Sequence, residues 1–223
     1  MFESFMGCGG QLPLPEKFLK KGHKLIQQSC GISVADEVQT GFGRLGSHYW
    51  AFEFFDIEPD IVTLGKSMWN GFPLSAVVTT REIANRFDNG MEYFNSFGGN
   101  PVSSVVGDTV LKIIAEEGLQ ENANDVGQYL KRQLIELKHK NPITGDVRGE
   151  GLFLGIEIVD LEKDKTRPQT KPKNIINKMK NKCILLSVDG PKKNIIKIKP
   201  PLPFKRENAD FLVENFYKVL LDL

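Results

Sequence analysis

The chain has 223 residues, 40% apolar and 26% charged, the proportions of an ordinary globular protein. Lys and Arg number 29 against 28 Asp and Glu, so the net charge of +1 gives no bulk attraction to nucleic acid or anionic lipid. No apolar run approaches the ~20 residues of a membrane span. The three cysteines, Cys8, Cys30 and Cys183, are far apart and odd in number, and His23, His48 and His139 are scattered. Neither set suggests a disulfide framework or a local metal motif, and the cysteine usage fits a reducing compartment. The opening MFESFMGCGG resembles neither a signal peptide nor an Arg-rich presequence, and Met1 reads as an internal methionine of a longer protein.

Apolar spacing predicts a helix over 17–29, with Phe18, Leu19, Leu25 and Ile26 on one side and Gly31 ending it. Three short apolar runs, 32–35, 61–64 and 74–78, suit buried parallel strands. Helices are expected over 102–117 and 119–139, the second with Val126, Tyr129, Leu130, Leu134 and Leu137 in one stripe. Beyond Asn141-Pro142 the character changes. Leu152, Leu154, Ile156 and Ile158 alternate with polar or small residues, the period of a half-buried strand. Residues 161–173, charged and proline-bearing, read as a solvated loop, and 174–181 as a helix. Strands over 183–188 and 194–199 flank the turn Asp189-Gly190-Pro191, and a closing helix over 206–222 turns Phe211, Leu212, Val219 and Leu220 inward. The expected division is 1–110 as part of a larger, mainly parallel α/β domain, 111–140 as connecting helices and 141–223 as a smaller α+β domain.

Gly41 to Gly46 matches GxGxxG, but no strand leads directly into it and no helix follows, so the glycines are expected to shape a turn rather than bind a dinucleotide. Lys66 follows the apolar run IVTL. At the end of a buried strand, desolvation would favour its neutral, nucleophilic amine; the alternative is a lysine that snorkels to water. Asp36 ends the run ISVAD, where a carboxylate either faces the ligand crevice of an open sheet or caps a turn. Asp36 and Lys66 together point to one shared site. Residues 95–101, NSFGGNP, precede a helix and suit either an anion-binding entrance or a capped start with Pro101 near its first position.

These stretches, DEVQTGFGRLG at 36–46, PDIVTLGKSMWNGFPLSAV at 59–77 and SFGGNPVSS at 96–104, resemble the class III (omega) aminotransferase family of pyridoxal-phosphate enzymes. VRGEGLFLGIEI at 147–158 and KIKPPLPF at 197–204 extend the likeness across the chain. The resemblance implies fold type I, with part of the large cofactor-binding domain and a small C-terminal α+β domain. It implies pyridoxal 5'-phosphate as cofactor, bonded through the amine of Lys66, with Asp36 on the pyridinium nitrogen, Val38 on the ring face and Gln39 on the ring hydroxyl oxygen. Ser96, where most relatives carry Thr, would reach the cofactor phosphate of a neighbouring subunit, so a homodimer is expected of the full-length protein.

Two departures resemble the phospho-lyase branch of that family, which acts on ethanolamine phosphate or 5-phosphohydroxy-L-lysine. Cys8 stands where aminotransferases carry a gating glutamate, and Lys197 stands at the arginine before the PPL motif. A lysine offers a point charge rather than a bidentate fork for a carboxylate. A third departure, Trp69 in place of a usual glycine, either crowds the cofactor or lines the pocket differently. The implied reaction removes phosphate and ammonia from a small phosphorylated amine and leaves an aldehyde. Amino-group transfer to a keto acid is the alternative, as is a non-catalytic fragment, because family subunits are much longer and add a phosphate-binding loop, a stacking aromatic residue and further interface. Relatives of this branch are mitochondrial.

Overall fold

The computed structural model describes residues 1–159 and 171–223. A two-stranded hairpin opens the chain, β1 (Phe5–Met6) against β2 (Leu12–Pro13), antiparallel. Helix α1 (Glu16–Gln28) follows, and it buries Leu19 and His23 while Phe18 and Leu25 face outward, 66% and 53% exposed. Its apolar side is therefore narrower than the spacing implied. Next come β3 (Val34–Asp36), β4 (Ile61–Leu64) and β5 (Ala76–Thr79). β3 and β4 run parallel, with Asp36 opposite Thr63, whereas β5 returns antiparallel to β4. The expectation of three buried parallel strands is corrected at β5: it is an edge strand with Val77 and Val78 at 65% and 55% exposure.

Helix α2 (Arg81–Phe87) begins where Thr80 Oγ1 accepts a hydrogen bond from Ile83 N. Helix α3 (Pro101–Glu116) is capped by Asn100, whose Oδ1 accepts from Ser103 N at 2.9 Å, with Pro101 at its first position. Helix α4 (Leu119–Lys140) spans two cores. Leu119, Ala123 and Val126 pack with Phe42, Leu64, Ile114 and Leu152, while Leu130, Leu134 and Leu137 pack on the C-terminal sheet. Tyr129 sits at the edge of that stripe and donates its hydroxyl proton to Asp210 at 2.5 Å.

The C-terminal sheet contains β6 (Thr144–Glu150), β7 (Phe153–Ile158), β8 (Ser187–Asp189) and β9 (Ile195–Ile198), all antiparallel in the order β6-β7-β9-β8. Helices α5 (Lys171–Lys180) and α6 (Arg206–Leu221) complete the unit. β7 is buried on both faces rather than one. Leu154, Ile156 and Ile158 enter the main core, while Phe153 packs with Phe5 and Phe55 on the other side. Three further expectations change. Only Ser187 and Val188 of 183–188 are strand, and β8 runs on to Asp189; β6 has no counterpart among the expected strands; and Phe211 is 51% exposed on the outside of α6. The loop expected over 161–173 lies outside the described residues as far as 170, and its last three residues open α5.

Among the described residues no helix is long and apolar enough to cross a membrane, and no group of three or more His, Cys, Asp or Glu is placed to hold a metal ion. The three cysteines are free.

Helix α4 and the β6–β7 turn meet at a close backbone approach. A Cβ on Gly127 of α4 would lie 2.3 Å from the carbonyl carbon of Gly151, in the β6–β7 turn. Gly22 in α1 faces open space. An unhindered Gly→Ala change in a helix stabilises by about 1 kcal/mol. Gly22→Ala should follow that rule. Gly127→Ala should reverse it, costing about 1–3 kcal/mol through overpacking. Urea unfolding of both variants checks the opposite signs; two stabilised proteins would contradict this packing.

Candidate active site

The parallel register of β3 and β4 brings Asp36 and Lys66 to the same end of the sheet: Asp36 pairs with Thr63, and Lys66 lies just past the end of β4. Asp36 is half-buried, and its Oδ1 accepts the backbone N–H of Val38 at 3.0 Å. Among the described residues its second oxygen accepts no hydrogen bond. Lys66 opens the short 3-10 turn Lys66–Met68 with φ +41°, a left-handed conformation uncommon for a lysine. Lys66 is exposed, which matches the expectation of a lysine that reaches water rather than that of a desolvated one. Val38 lies beside Gly65, where a Cβ would touch its Cγ1 at 3.5 Å, so the valine methyls sit next to the lysine turn.

Gln39 is fixed from two sides. Lys199 Nζ donates to its Oε1 at 2.6 Å, and its Nε2 lies 3.9 Å from Cys8 Sγ. A Cβ on Gly7 would come within 2.4 Å of that Nε2, so glycine there leaves room for the amide. Gln39 Oε1 thus accepts from Lys199, and Nε2 keeps a second N–H that no described residue takes up.

Ser96 is placed elsewhere. It lies in the exposed turn entering α3, where Asn95 Oδ1 accepts from Phe97 N and Gly98 N at 3.1 and 2.9 Å. No hydrogen bond among the described residues joins it to Asp36, Gln39 or Lys66. Trp69 closes the turn after Lys66, its N–H donating to Lys66 O at 3.3 Å, and lines a groove beside β5 with Leu74, Tyr93 and Phe97.

Several residues that shape the site were not singled out in the sequence. Glu37 is buried, and its carboxylate accepts from Thr40 Oγ1 at 2.9 Å, Ala51 N at 3.0 Å and Phe52 N at 2.9 Å. Burial nevertheless pushes its pKa up to about 7, against the three hydrogen bonds that favour the ion. Arg44, in the same loop, donates to Pro200 O and, at 3.4 Å, to Leu152 O; its pKa falls to about 10 by burial, so it stays charged at neutral pH. Leu152 N returns a bond to Arg44 O at 3.1 Å. Asn122 Nδ2 holds Leu202 O and Phe204 O at 2.7 and 3.0 Å, which anchors the chain after Pro200-Pro201. These contacts set the end of β9 against the Asp36–Gln39 segment. An isolated Glu after a strand-end Asp, or an Arg among glycines, carries no sequence pattern that marks it as a clamp.

The unfolded chain ionises Glu37 near 4.5, and the folded chain keeps it protonated up to about 7. The folded state therefore binds the extra proton between those values. Stability should fall by about 1.4 kcal/mol per pH unit at most across that window and level off above it. Glu37→Gln should lose this slope, and should be less stable at the acid end because its NH2 group faces a backbone donor. Urea midpoints measured from pH about 5 to about 8 test this; parallel curves for the two proteins would contradict it.

Residues 1–220 match the family model described as aminotransferase class-III. The chain is 46% identical over 220 residues to "Alanine--glyoxylate aminotransferase 2-like" of Drosophila melanogaster, covering 98% of this chain and 44% of the relative. It is 40% identical over 222 residues to the human mitochondrial alanine–glyoxylate aminotransferase 2, covering 98% of this chain and 43% of the relative. Its fold superposes with TM-score 0.95 and 37% identity on a phospholyase from Arthrobacter in complex with phosphoethanolamine, covering all of this chain and 53% of that one. The chain thus spans about half the length of the proteins it matches, with the mixed α/β architecture of their fold type I half. On this match the chain belongs to the class III aminotransferase family of pyridoxal-phosphate proteins.

Proposed function

We propose that the protein acts on a small phosphorylated amine, ethanolamine phosphate or 5-phosphohydroxy-L-lysine, and eliminates phosphate and ammonia to give an aldehyde. The observation that carries this reading is the likeness to the Arthrobacter phospholyase bound to phosphoethanolamine. Cys8 and the Lys197-Ile198-Lys199 stretch support it, since they replace a carboxylate-oriented glutamate and arginine with a thiol and point charges.

The residues present fit pyridoxal phosphate as a donor and acceptor set. Asp36 keeps one oxygen unspent for a protonated ring nitrogen, Gln39 keeps an N–H donor for a phenolic oxygen, Val38 offers an apolar surface, and Lys66 offers an amine at the end of the same sheet. When bound, the cofactor supplies an electron sink for the pair left on the amine-bearing carbon. Lys66, as free amine, would take the proton from that carbon. Asp36 would keep the ring nitrogen protonated. The adjacent C–O bond then breaks, and phosphate leaves with its electron pair. Hydrolysis completes the balance: ethanolamine phosphate and water give acetaldehyde, ammonia and phosphate.

Ser96 we assign to the cofactor phosphate of a second subunit, and the exposed apolar side chains Phe87, Tyr93, Phe94 and Phe97 near it suit burial in a homodimer or under further chain. We place the protein in mitochondria, as the human relative is named. The aminotransferase names of the Drosophila and human relatives favour a second reading, transfer of the amino group to a keto acid.

Release of phosphate and ammonia from ethanolamine phosphate, assayed beside amino transfer to glyoxylate, separates the readings. The lyase reading expects stoichiometric phosphate and ammonia without need of a keto acid. Lys66→Ala should lower turnover by about 100-fold to 10,000-fold, and Asp36→Asn by about 100-fold. Transfer without phosphate release would establish the aminotransferase, and neither activity would leave this chain a fragment of a catalytic parent.

A further inference from the structure

Lys197 lies in β9, and Lys199 directly follows the strand's last residue, Ile198. Their surroundings differ. Lys197 Nζ is paired with Asp189 Oδ2 at 3.0 Å, and Gln11 Nε2 donates to the same carboxylate oxygen at 3.0 Å. Asp189 is held in place by the β8–β9 register, where it sits opposite Ile195. The positive charge of Lys197 is therefore largely neutralised within the protein.

Lys199 has no ion pair among the described residues. Its ammonium rests over the ring of Phe153, 4.1 Å from the centroid, and spends one of three donors on Gln39 Oε1 at 2.6 Å. Two donors remain. Burial lowers its pKa to about 8; Lys197 and, more weakly, Lys66 act in the same sense, opposed by Asp189 and Cys8. A half-buried cation beside two other lysines, with no carboxylate of its own, is an arrangement that gains from an added anion. Through Gln39 it borders the segment that carries Asp36, and it lies within electrostatic reach of Lys66.

We propose that Lys199, and not Lys197, is the residue that recognises the substrate's phosphate, with Asp189 acting as a brake that withholds Lys197 from the anion. The assignment rests on the phosphorylated-amine reading and names the group that confers it. The unspent N–H donors of Lys199 would hold the phosphate oxygens as the C–O bond breaks, so the same contact that selects the substrate steadies the leaving group. Lys199 also keeps the Gln39 amide turned so that its N–H faces away from the lysine, which ties substrate recognition to cofactor orientation.

Titration of this 223-residue chain with inorganic phosphate, followed by calorimetry, tests the assignment directly. Lys199→Gln should weaken phosphate binding by about 10-fold to 100-fold, the loss of one charge-assisted contact. Lys199→Arg, which keeps the charge and N–H donors, should retain more affinity than Lys199→Gln. Asp189→Asn should tighten binding about 3-fold or more by freeing Lys197. Acetate in place of phosphate should bind more weakly to the unaltered chain, since it offers a single negative charge. The assignment is overturned if the unaltered chain binds no phosphate, if Lys199→Gln binds as tightly as the unaltered chain, or if Asp189→Asn weakens binding. These outcomes separate from the lyase reading. A Lys199-dependent phosphate site in a cofactor-loaded protein that releases no phosphate from ethanolamine phosphate leaves the site standing and removes the lyase. Phosphate release with an unchanged KM in Lys199→Gln does the reverse.

Discussion

A single buried carboxylate holds this site in shape. Glu37 follows Asp36 directly and draws in Thr40, Ala51 and Phe52, so the segment between β3 and the 3-10 turn Glu53–Phe55 folds back on itself. That closure presents Arg44 to Pro200 and Leu152, and Gln39 to Lys199. Strand-end chemistry from the first half of the chain and lysines from the last strand thereby meet. Burial raises the pKa of Glu37 to about 7 against the hydrogen bonds that favour its ion. Helix α4 reinforces the same junction from behind, with one apolar stripe shared between two cores.

Much of this was legible in the sequence where local pattern governs. β4 coincides with the apolar run 61–64, and α4 with the stripe from Val126 to Leu137, because burial at a helical or strand period leaves a direct imprint. The glycines of 41–46 form turns, as the missing flanking elements implied. Pairing direction left no such imprint. β5 reads like β4 in composition, yet it runs antiparallel at an exposed edge, since direction depends on where the chain returns rather than on its residues. β7 alternates as a half-buried strand would, but the opening hairpin region covers its second face through Phe5, a contact distant in sequence.

The candidate site was legible to the same degree. Asp36 and Lys66 stood out as polar groups ending apolar runs, and the register sets them at one end of the sheet. Lys66 is exposed, at the end of the same sheet. Glu37 escaped notice because its meaning lies in three partners that only the fold assembles. Lys197 stands out by position in the KIKPP stretch; that its charge is met by Asp189, on the neighbouring strand β8, is something no local pattern discloses.

Everything proposed for this chain depends on Asp36, Val38, Gln39 and Lys66 forming a pyridoxal-phosphate site. Incubation with pyridoxal phosphate, reduction with borohydride and peptide mass mapping test it most directly. Near-stoichiometric label on Lys66, lost when Asp36 is changed to Asn at limiting cofactor, is the expected result. Label spread over the surface lysines, with Lys66 no more reactive than the rest, would contradict it.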